Sequence, residues 1–220
     1  MTHSTEEIED AFEVGMGGLP PVPPRYNIAP TQPLLAIRPD EGRRREVTWF
    51  HWGLIPSWAK DPSMGARMIN ARAETILEKP SFKTSFARRR CLIVADGFYE
   101  WQRVGKTKQP FHFAFNNRTL FAFAGLFDFW ERDGNAIASC TIITTAANEE
   151  VQEIHDRMPV ILQPSEYDTW LNTQNKDMEG AIALLQSRPL ANFIHYPVDT
   201  AVNSVRNDEA RLIEDTRNSA

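Results

Sequence analysis

The chain has 220 residues, of which 42% are hydrophobic and 24% are charged, a composition typical of globular proteins. No apolar run approaches the ~20 residues that span a membrane, and the N-terminus lacks the basic-then-apolar plan of a signal peptide. The only cysteines, Cys91 and Cys140, lie in apolar runs and are predicted to be buried free thiols in a reducing compartment. We therefore expect a cytoplasmic protein rather than a secreted or membrane protein.

The net charge of −5 conceals a strong asymmetry along the chain. Residues 25–118 carry 17 Lys and Arg against eight Asp and Glu, whereas residues 119–220 carry seven against 16. A basic middle section in an acidic protein suggests an anionic ligand, and nucleic acid is the first candidate. The alternative is that Arg43, Arg44 and Arg45 form a solvated loop, because a basic stretch of sequence need not become a basic surface.

Hydrophobic periodicity, capping residues and turn residues predict an alternation of short strands and helices. The first half contains a helix that opens with a capping box at Ser4 and Glu7, a Gly- and Pro-rich connector over residues 15–24, strands over 34–38 and 46–52, an aromatic loop over 51–58, and helices near 74–78 and over 81–88. The second half contains strands over 91–95, 98–101, 110–115, 119–127 and 139–145, a helix over 147–155, a strand over 160–162, helices over 164–171 and 177–185, and a strand over 193–196. Strands joined by short turns, with no long linker, predict a single α+β domain over residues 1–220. We expect an antiparallel, barrel-like β-sheet covered by short helices.

The stretch RCLIVADGFYEW at residues 90–101 reads as strand, turn and strand. Its apolar run predicts a buried strand, Asp96 and Gly97 predict a tight turn, and Glu100 then stands between aromatic residues. A lone carboxylate in such surroundings is one way to hold an acid with a raised pKa. These residues alone favour the alternative, a surface hairpin whose Glu100 is solvated.

Aromatic residues accumulate in the basic section. Trp49, Trp52 and Trp58 lie within ten residues of one another, and aromatic rings interleaved with Arg are typical of surfaces that stack unpaired bases. Packing in the core is an equally good explanation for any one of these tryptophans.

The sequence contains none of the spacings that hold metals or nucleotide cofactors, since HxH, HExxH, CxxC, P-loop and GxGxxG patterns are all missing. The sequence also lacks the GxSxG nucleophile elbow that would indicate a serine hydrolase. Four polar residues in irregular segments beside strands remain, namely Asn70, Arg72, Glu100 and His155. Together they offer a hydrogen-bond donor, a phosphate clamp and two groups for proton transfer. Taken singly, each has a simpler structural explanation, Asn70 as a local cap and His155 as a partner of Asp156.

Seven strings over residues 25–171 resemble those of the SOS response-associated peptidase (SRAP) family, whose members shield abasic sites in single-stranded DNA. They are RYNIAPTQ at 25–32, WGLIPSWA at 52–59, INARAET at 69–75, RRCLIVADGFYEW at 89–101, FAGLFD at 123–128, TIITTAAN at 141–148 and IHDRMPVIL at 154–162. The resemblance implies that the partner is abasic single-stranded DNA, and that the protein is a monomer, associates with the nucleoid and needs no cofactor.

The resemblance also implies roles for the four polar residues. Asn70 would position the opened sugar, and Arg72 would contact a phosphate at the lesion. Glu100 would be the acid/base that assists ring opening of the abasic deoxyribose, with His155 as its proton-transferring partner. Ring opening and imine formation both move protons, which requires groups with pKa values set apart.

Further residues are implied in DNA binding by the strings that contain them. Trp52 and Trp101 would pack against or face the DNA, and Arg25, Asn27 and Pro30 would contribute from the string RYNIAPTQ.

The beginning of the sequence departs from the family pattern. Family members begin Met-Cys-Gly-Arg, and after Met removal the amine and thiol of that Cys close a thiazolidine with the abasic aldehyde. This sequence begins Met1-Thr2-His3-Ser4 and resembles the segment that follows that opening, so we expect the family's first residues to lie upstream of Met1. Cys91 lacks a free α-amine, so the sequence as it stands is expected to bind DNA without forming the thiazolidine. An exposed Thr2 would give at most a reversible imine.

Two other functions stay open. One is a non-covalent single-stranded nucleic-acid binding module. The other is a peptidase, as the family name suggests, although that name rests on removal of the protein's own N-terminal residue. A lyase activity at the abasic site is a variant of the abasic-site function that the family resemblance implies.

Overall fold

The computed structural model describes residues 1–174 and 178–218, in which apolar runs of the sequence form the strands of two sheets. The strands are β1 (Pro33–Pro39), β2 (Arg45–Trp52), β3 (Asn70–Arg72), β4 (Arg90–Ala95), β5 (Phe98–Val104), β6 (Thr107–Phe115), β7 (Phe121–Arg132), β8 (Asn135–Ala146), β9 (Arg157–Pro159), β10 (Ile161–Leu162) and β11 (Phe193–Pro197). The α-helices are α1 (Thr5–Phe12), α2 (Pro80–Arg88), α3 (Glu149–Gln152), α4 (Tyr167–Leu171) and α5 (Glu179–Ala183). Single 3₁₀ turns occupy Pro62–Arg67, Ala73–Thr75, Pro164–Glu166, Thr200–Asn203, Ala210–Ile213 and Thr216–Asn218.

Strands β7, β4, β1, β2 and β8 pair in that order, and β8 pairs again with β7, so the sheet closes into a five-stranded barrel. This confirms the predicted α+β fold with a barrel-like sheet and short helices. Four of the five seams are antiparallel, and the seam between β2 and β8 is parallel, with His51 opposite Ser139 and Trp52 opposite Cys140. A parallel pairing joins strands that are distant in sequence, which is why adjacent turn signals did not reveal it.

A second, three-stranded sheet has the order β11, β6 and β5. The predicted strand, turn and strand around Asp96 and Gly97 are present, but β4 and β5 do not pair, so the surface-hairpin interpretation is wrong. The chain instead passes from the barrel to the second sheet at this turn. Phe98 fixes the crossing because its ring stacks on Phe113 of β6, with 5.0 Å between ring centroids.

Strand β4 is buried along its whole length and contributes to two hydrophobic clusters. Cys91 and Ile93 pack with the rings of the second sheet, whereas Leu92 and Val94 pack with the helices. A strand covered on both faces requires a continuous apolar run, which explains the pattern in the sequence. Cys91 and Cys140 are both buried free thiols, as predicted.

The helices follow the sequence signals with shifted boundaries. Helix α1 begins with the predicted capping box, in which the Glu7 amide donates to Ser4 Oγ at 3.2 Å and the Ser4 amide donates to Glu7 Oε2 at 2.7 Å. Pro80 does not end a helix but opens α2, since a proline fits the first turn. The helix predicted over residues 147–155 is shorter in the structure, where it is α3. Strand β9 follows it, and the sequence analysis did not predict that strand. Of the predicted helix 177–185, α5 is present and residue 177 lies outside the described residues.

Each arginine of the Arg43–Arg45 turn has a partner. Arg44 pairs with Asp40 at 3.1 Å and Arg45 with Asp168 at 2.8 Å, while Arg43 donates to Gln174. These contacts connect the β1–β2 turn to its own acid and to α4 and the segment after it. The turn is exposed, as the solvated-loop alternative predicts, and these contacts connect it to the rest of the fold.

Among residues 1–174 and 178–218, no helix has the length and apolar character needed to cross a membrane.

We expect Gly97→Ala to destabilise the protein by about 1–3 kcal/mol, because the crossing leaves no room for a side chain. A Cβ at this position would lie 2.4 Å from Nε2 of the buried His112 and 2.8 Å from the carbonyl oxygen of Phe113. Urea unfolding of the two proteins gives the difference. Gly15→Ala is the matched control, because a Cβ there meets nothing within 4 Å, and its unfolding free energy should change by less than about 1 kcal/mol. Equal effects of the two substitutions would contradict the assignment of Gly97 as a packing constraint.

Candidate functional site

One cavity of about 720 Å³ gathers chemistry-bearing side chains from distant parts of the sequence. Its walls come from the end of β2, from β3 and β4, from the start of β5, from the segment before β9, and from residues after β11. All of the predicted site residues except Arg25 line it; they are Asn27, Pro30, Trp52, Asn70, Arg72, Glu100, Trp101 and His155. Within residues 1–174 and 178–218, no group of three or more His, Cys, Asp or Glu side chains is arranged so that it could hold a metal ion.

Strand β3 delivers two of these residues to one face. It pairs in parallel with β8, with Asn70 opposite Ile142 and Arg72 opposite Thr144. Because strand side chains alternate, Ala71 is fully buried while Asn70 and Arg72 are exposed toward the cavity. The Arg72 guanidinium makes no hydrogen bond or ion pair with the described part of the chain, so its donors are available to a ligand.

Glu100 and His155 form the titratable pair of the cavity. His155 Nε2 lies 4.0 Å from Glu100 Oε2. Its Nδ1 lies 3.1 Å from both the amide nitrogen and the carbonyl oxygen of Arg157, and 3.4 Å from Asp156 Oδ1, the partner that the sequence alone suggested. Burial raises the pKa of Glu100, and the positive charge that His155 can carry opposes that rise. A carboxyl with a raised pKa beside an imidazole provides the two groups that a proton transfer needs.

Two tryptophans form half-buried walls with fixed orientations. Trp52 Nε1 donates to the carbonyl oxygen of Ile69 at 2.9 Å, and Trp101 Nε1 donates to Asn203 Oδ1 at 2.7 Å. Because each indole nitrogen is satisfied, the exposed parts of the rings are left for stacking or apolar contact.

The residues predicted from RYNIAPTQ have unequal positions. Asn27 is buried, and its side-chain amide donates to the carbonyl oxygens of Val202 and Asn207 at 3.0 Å, which holds the C-terminal segment against the cavity. Arg25 lies outside the cavity lining, since its guanidinium pairs with Asp208 and donates to Gln32 Oε1 at 2.9 Å. Pro30 is exposed at the rim.

Asp96, which the sequence suggested only as a turn residue, is a second carboxylate of the cavity. The α-ammonium of Met1 lies 3.1 Å from Asp96 Oδ1, and Thr2 donates to Oδ2 from its amide at 2.8 Å and from its hydroxyl at 2.7 Å. Burial alone would raise the pKa of Asp96, but the Met1 ammonium and the Thr2 hydrogen bonds together hold it below its ordinary value. Its place directly after a buried strand was the available signal.

Arg157 is a further residue that the sequence analysis did not single out, although it stands in the string IHDRMPVIL. Its guanidinium forms a bidentate pair with Glu74, at 2.5 and 3.0 Å, and donates to the carbonyl oxygen of Thr144 at 2.7 Å. Glu74 therefore neutralises Arg157, which lines the cavity together with Arg72.

The cavity also reaches a buried histidine. His112 Nδ1 lies 3.1 Å from the Tyr196 hydroxyl, and burial lowers the pKa of His112 to about 4, so the ring is neutral at pH ~7. Neighbouring Tyr99 donates to the carbonyl oxygen of Tyr26 at 2.6 Å. These contacts fix the cavity wall between β5, β6 and the segment that follows β11.

The family profile described as SOS response associated peptidase (SRAP) matches residues 1–205. The chain is 47% identical over 193 residues to the abasic site processing protein YoqW of Bacillus subtilis (strain 168), covering 87% of this chain and 86% of that protein. It is 37% identical over 217 residues to the abasic site processing protein HMCES of Gallus gallus, covering 84% of this chain and 64% of that protein. A crystal structure of a protein from Bacteroides thetaiotaomicron is similar with a TM-score of 0.80 and 26% identity, over 98% of this chain and 97% of that one.

We expect Glu100→Gln to stabilise the folded protein at neutral pH. Because the pKa of Glu100 is raised on folding, the unfolded chain loses this proton at a lower pH than the folded chain does. The contribution of the group to stability is therefore fully present below the unfolded pKa of ~4.3 and is lost as the pH rises through the folded pKa. Denaturant titrations between about pH 4 and pH 8 should show Glu100→Gln gaining on the native protein as the pH rises.

Glu131→Gln, which removes an exposed carboxylate of β7, controls for the loss of one negative charge. A pH-independent difference between Glu100→Gln and the native protein would show that the raised pKa is absent.

Proposed function

The chain belongs to the SOS response associated peptidase (SRAP) family, and on that premise we propose that it recognises abasic sites in single-stranded DNA. The names of its relatives, abasic site processing proteins, support the class of lesion. The observation that carries the proposal is the single cavity in which Asn70, Arg72, Glu100 and His155 meet. We further propose that the protein acts as a monomer, without a cofactor, and in association with the nucleoid.

A missing base explains the mixture of groups in the cavity. An abasic nucleotide presents a sugar and its flanking phosphates, with no base to fill the space between neighbouring bases. Arg72 has free donors for a phosphate, which a guanidinium can bind in bidentate fashion. The half-exposed rings of Trp52 and Trp101 suit stacking of the bases on either side, and such stacking tolerates any base sequence.

Glu100 and His155 suit the opening of the abasic sugar. In the closed form, the C1′ hydroxyl must lose a proton while the ring oxygen gains one, so that the C1′–O4′ bond breaks and the aldehyde forms. A carboxyl with a raised pKa can deliver a proton to the ring oxygen, and Nε2 of His155 can accept the hydroxyl proton when the ring carries its proton on Nδ1 and donates it to the Arg157 carbonyl oxygen. The side-chain amide of Asn70, on β3 in the same cavity, is available to hold the opened sugar.

Neither thiol of the sequence is available as a nucleophile. Cys91 and Cys140 are fully buried, and burial raises the pKa of both thiols. A thiolate is the reactive form of cysteine, so both residues are inert in the folded protein. We propose that the covalent thiazolidine implied by the family resemblance forms only with the family's N-terminal Cys.

We expect Arg72→Gln to weaken binding to a single-stranded abasic oligonucleotide by about 3- to 10-fold. Loss of one phosphate contact should also lower the slope of log affinity against log salt by about 0.7. Fluorescence anisotropy over a series of salt concentrations measures both. Arg88→Gln is the matched control, because Arg88 of α2 is exposed and forms no ion pair within the described residues. It should leave the slope unchanged. The same titrations with undamaged DNA separate an abasic-site sensor from a general single-strand binding module, which would bind both equally.

We expect a polypeptide of exactly this sequence to give no heat-stable adduct with abasic DNA on a denaturing gel, because its two thiols are buried. The same sequence preceded by Met-Cys-Gly-Arg should form one. An adduct with the unextended sequence would contradict the assignment of the nucleophile.

Glu100→Gln in the extended protein tests the acid/base role within the same assay. It should retain DNA binding while forming the adduct at least about 100-fold more slowly, the usual contribution of a general acid or base. Equal adduct rates would remove Glu100 from the mechanism while leaving the proposed lesion class intact.

A further inference from the structure

The β5–β6 hairpin continues beyond the cavity as an exposed ribbon. Its cations, Arg103, Lys106 and Lys108, are all exposed, and within residues 1–174 and 178–218 none of them forms an ion pair with an acid. We name these three residues the hairpin cations. Lys108 lies close enough to lower the pKa of Glu100, which connects the hairpin electrostatically to the cavity.

The register of the hairpin places two of these charges directly opposite each other. Arg103 pairs with Lys108 across the strands, so their side chains leave the same face about 5 Å apart. Directly opposed like charges destabilise a strand pair, and within the described residues neither cation forms an ion pair, although Glu100 lies within electrostatic range of Lys108. An anion bound between them would relieve the repulsion.

The same face leads back to the cavity. Side chains of a strand alternate, so Trp101 and Arg103 of β5 lie on the same face of the hairpin. Their partners in β6, Pro110 and Lys108, lie on that face as well. From Trp101 to the turn at Gly105 the strand extends about 13 Å, which is the length of about four nucleotide steps in a stacked strand. On the opposite face Gln102 Nε2 donates to the carbonyl oxygen of Glu153 at 3.0 Å, which anchors the base of the hairpin beside the loop of His155.

We propose that the hairpin cations bind the sugar-phosphate backbone of the DNA on one side of the abasic nucleotide. This inference rests on the proposed function and adds to it a direction, since the hairpin extends from only one side of the cavity. Arg103 and Lys108 hold one phosphate between them, and Lys106 meets the backbone farther from the lesion. The contacts are independent of sequence, as phosphate contacts are.

The test compares three proteins, namely the native protein, Arg103→Gln/Lys108→Gln and Lys83→Gln/Arg88→Gln. The last removes one lysine and one arginine from exposed positions of α2 that do not line the cavity. Binding of a 5′-labelled single strand with a central abasic site and about seven nucleotides on each side is measured by anisotropy at several salt concentrations. The hairpin variant should bind about 5- to 20-fold more weakly with a slope reduced by about 0.7, since the two residues share one phosphate, and the α2 variant should match the native protein.

Oligonucleotides shortened on one flank show on which side of the abasic nucleotide the hairpin binds the DNA. With one flank trimmed to a single nucleotide, the native protein and the hairpin variant should bind alike, whereas trimming the other flank should leave their difference intact. Equal losses in the hairpin and α2 variants, or a hairpin effect that persists when both flanks are trimmed, would overturn the inference. If the native protein does not prefer abasic to undamaged DNA, the proposed function fails. The comparison of the hairpin and α2 variants on the undamaged strand then reports separately on whether the hairpin cations bind the backbone.

Discussion

The crossing at Asp96 and Gly97 is the constraint on which the cavity depends. Gly97 passes so close to His112 and to the backbone of Phe113 that only a residue without a side chain fits. Here β4 leaves the barrel and β5 enters the second sheet, and the space between the two sheets becomes the cavity. Asp96 stands on one side of the crossing and Glu100 on the other, so one turn positions both carboxylates.

Those two carboxylates show how local partners decide charge within one cavity. Both are largely removed from water, which favours the protonated form of each. Asp96 nevertheless keeps a lowered pKa because an ammonium and several hydrogen bonds outweigh its burial, whereas His155, the Trp101 backbone and Lys108 do not outweigh the burial of Glu100. The result is one fixed negative charge and one group that can exchange a proton, a division of roles common to acid/base sites.

Sequence patterns predicted the strands and helices well where the signal was local, as in the capping box at Ser4 and the buried run of β4. They failed where the partner was distant. The parallel seam between β2 and β8 and the separation of β4 from β5 depend on packing of rings such as Phe98 on Phe113, which no short window contains. The grouping of Asn70, Arg72, Glu100 and His155 came from resemblance to a family, whereas the residues alone favoured a solvated Glu100.

The arginines illustrate the same limit for charge. The densest basic run of the sequence, Arg43–Arg45, contacts acids and amides of its own fold and does not line the cavity. Arg72 and Arg103 stand singly in the sequence, yet each lacks an acidic partner in the described structure and lies in or beside the cavity. A cation binds a phosphate strongly only if no carboxylate already neutralises it. The basic surface of this protein is therefore defined by which cations the fold leaves unpaired, and the count of cations in a stretch of sequence does not identify them.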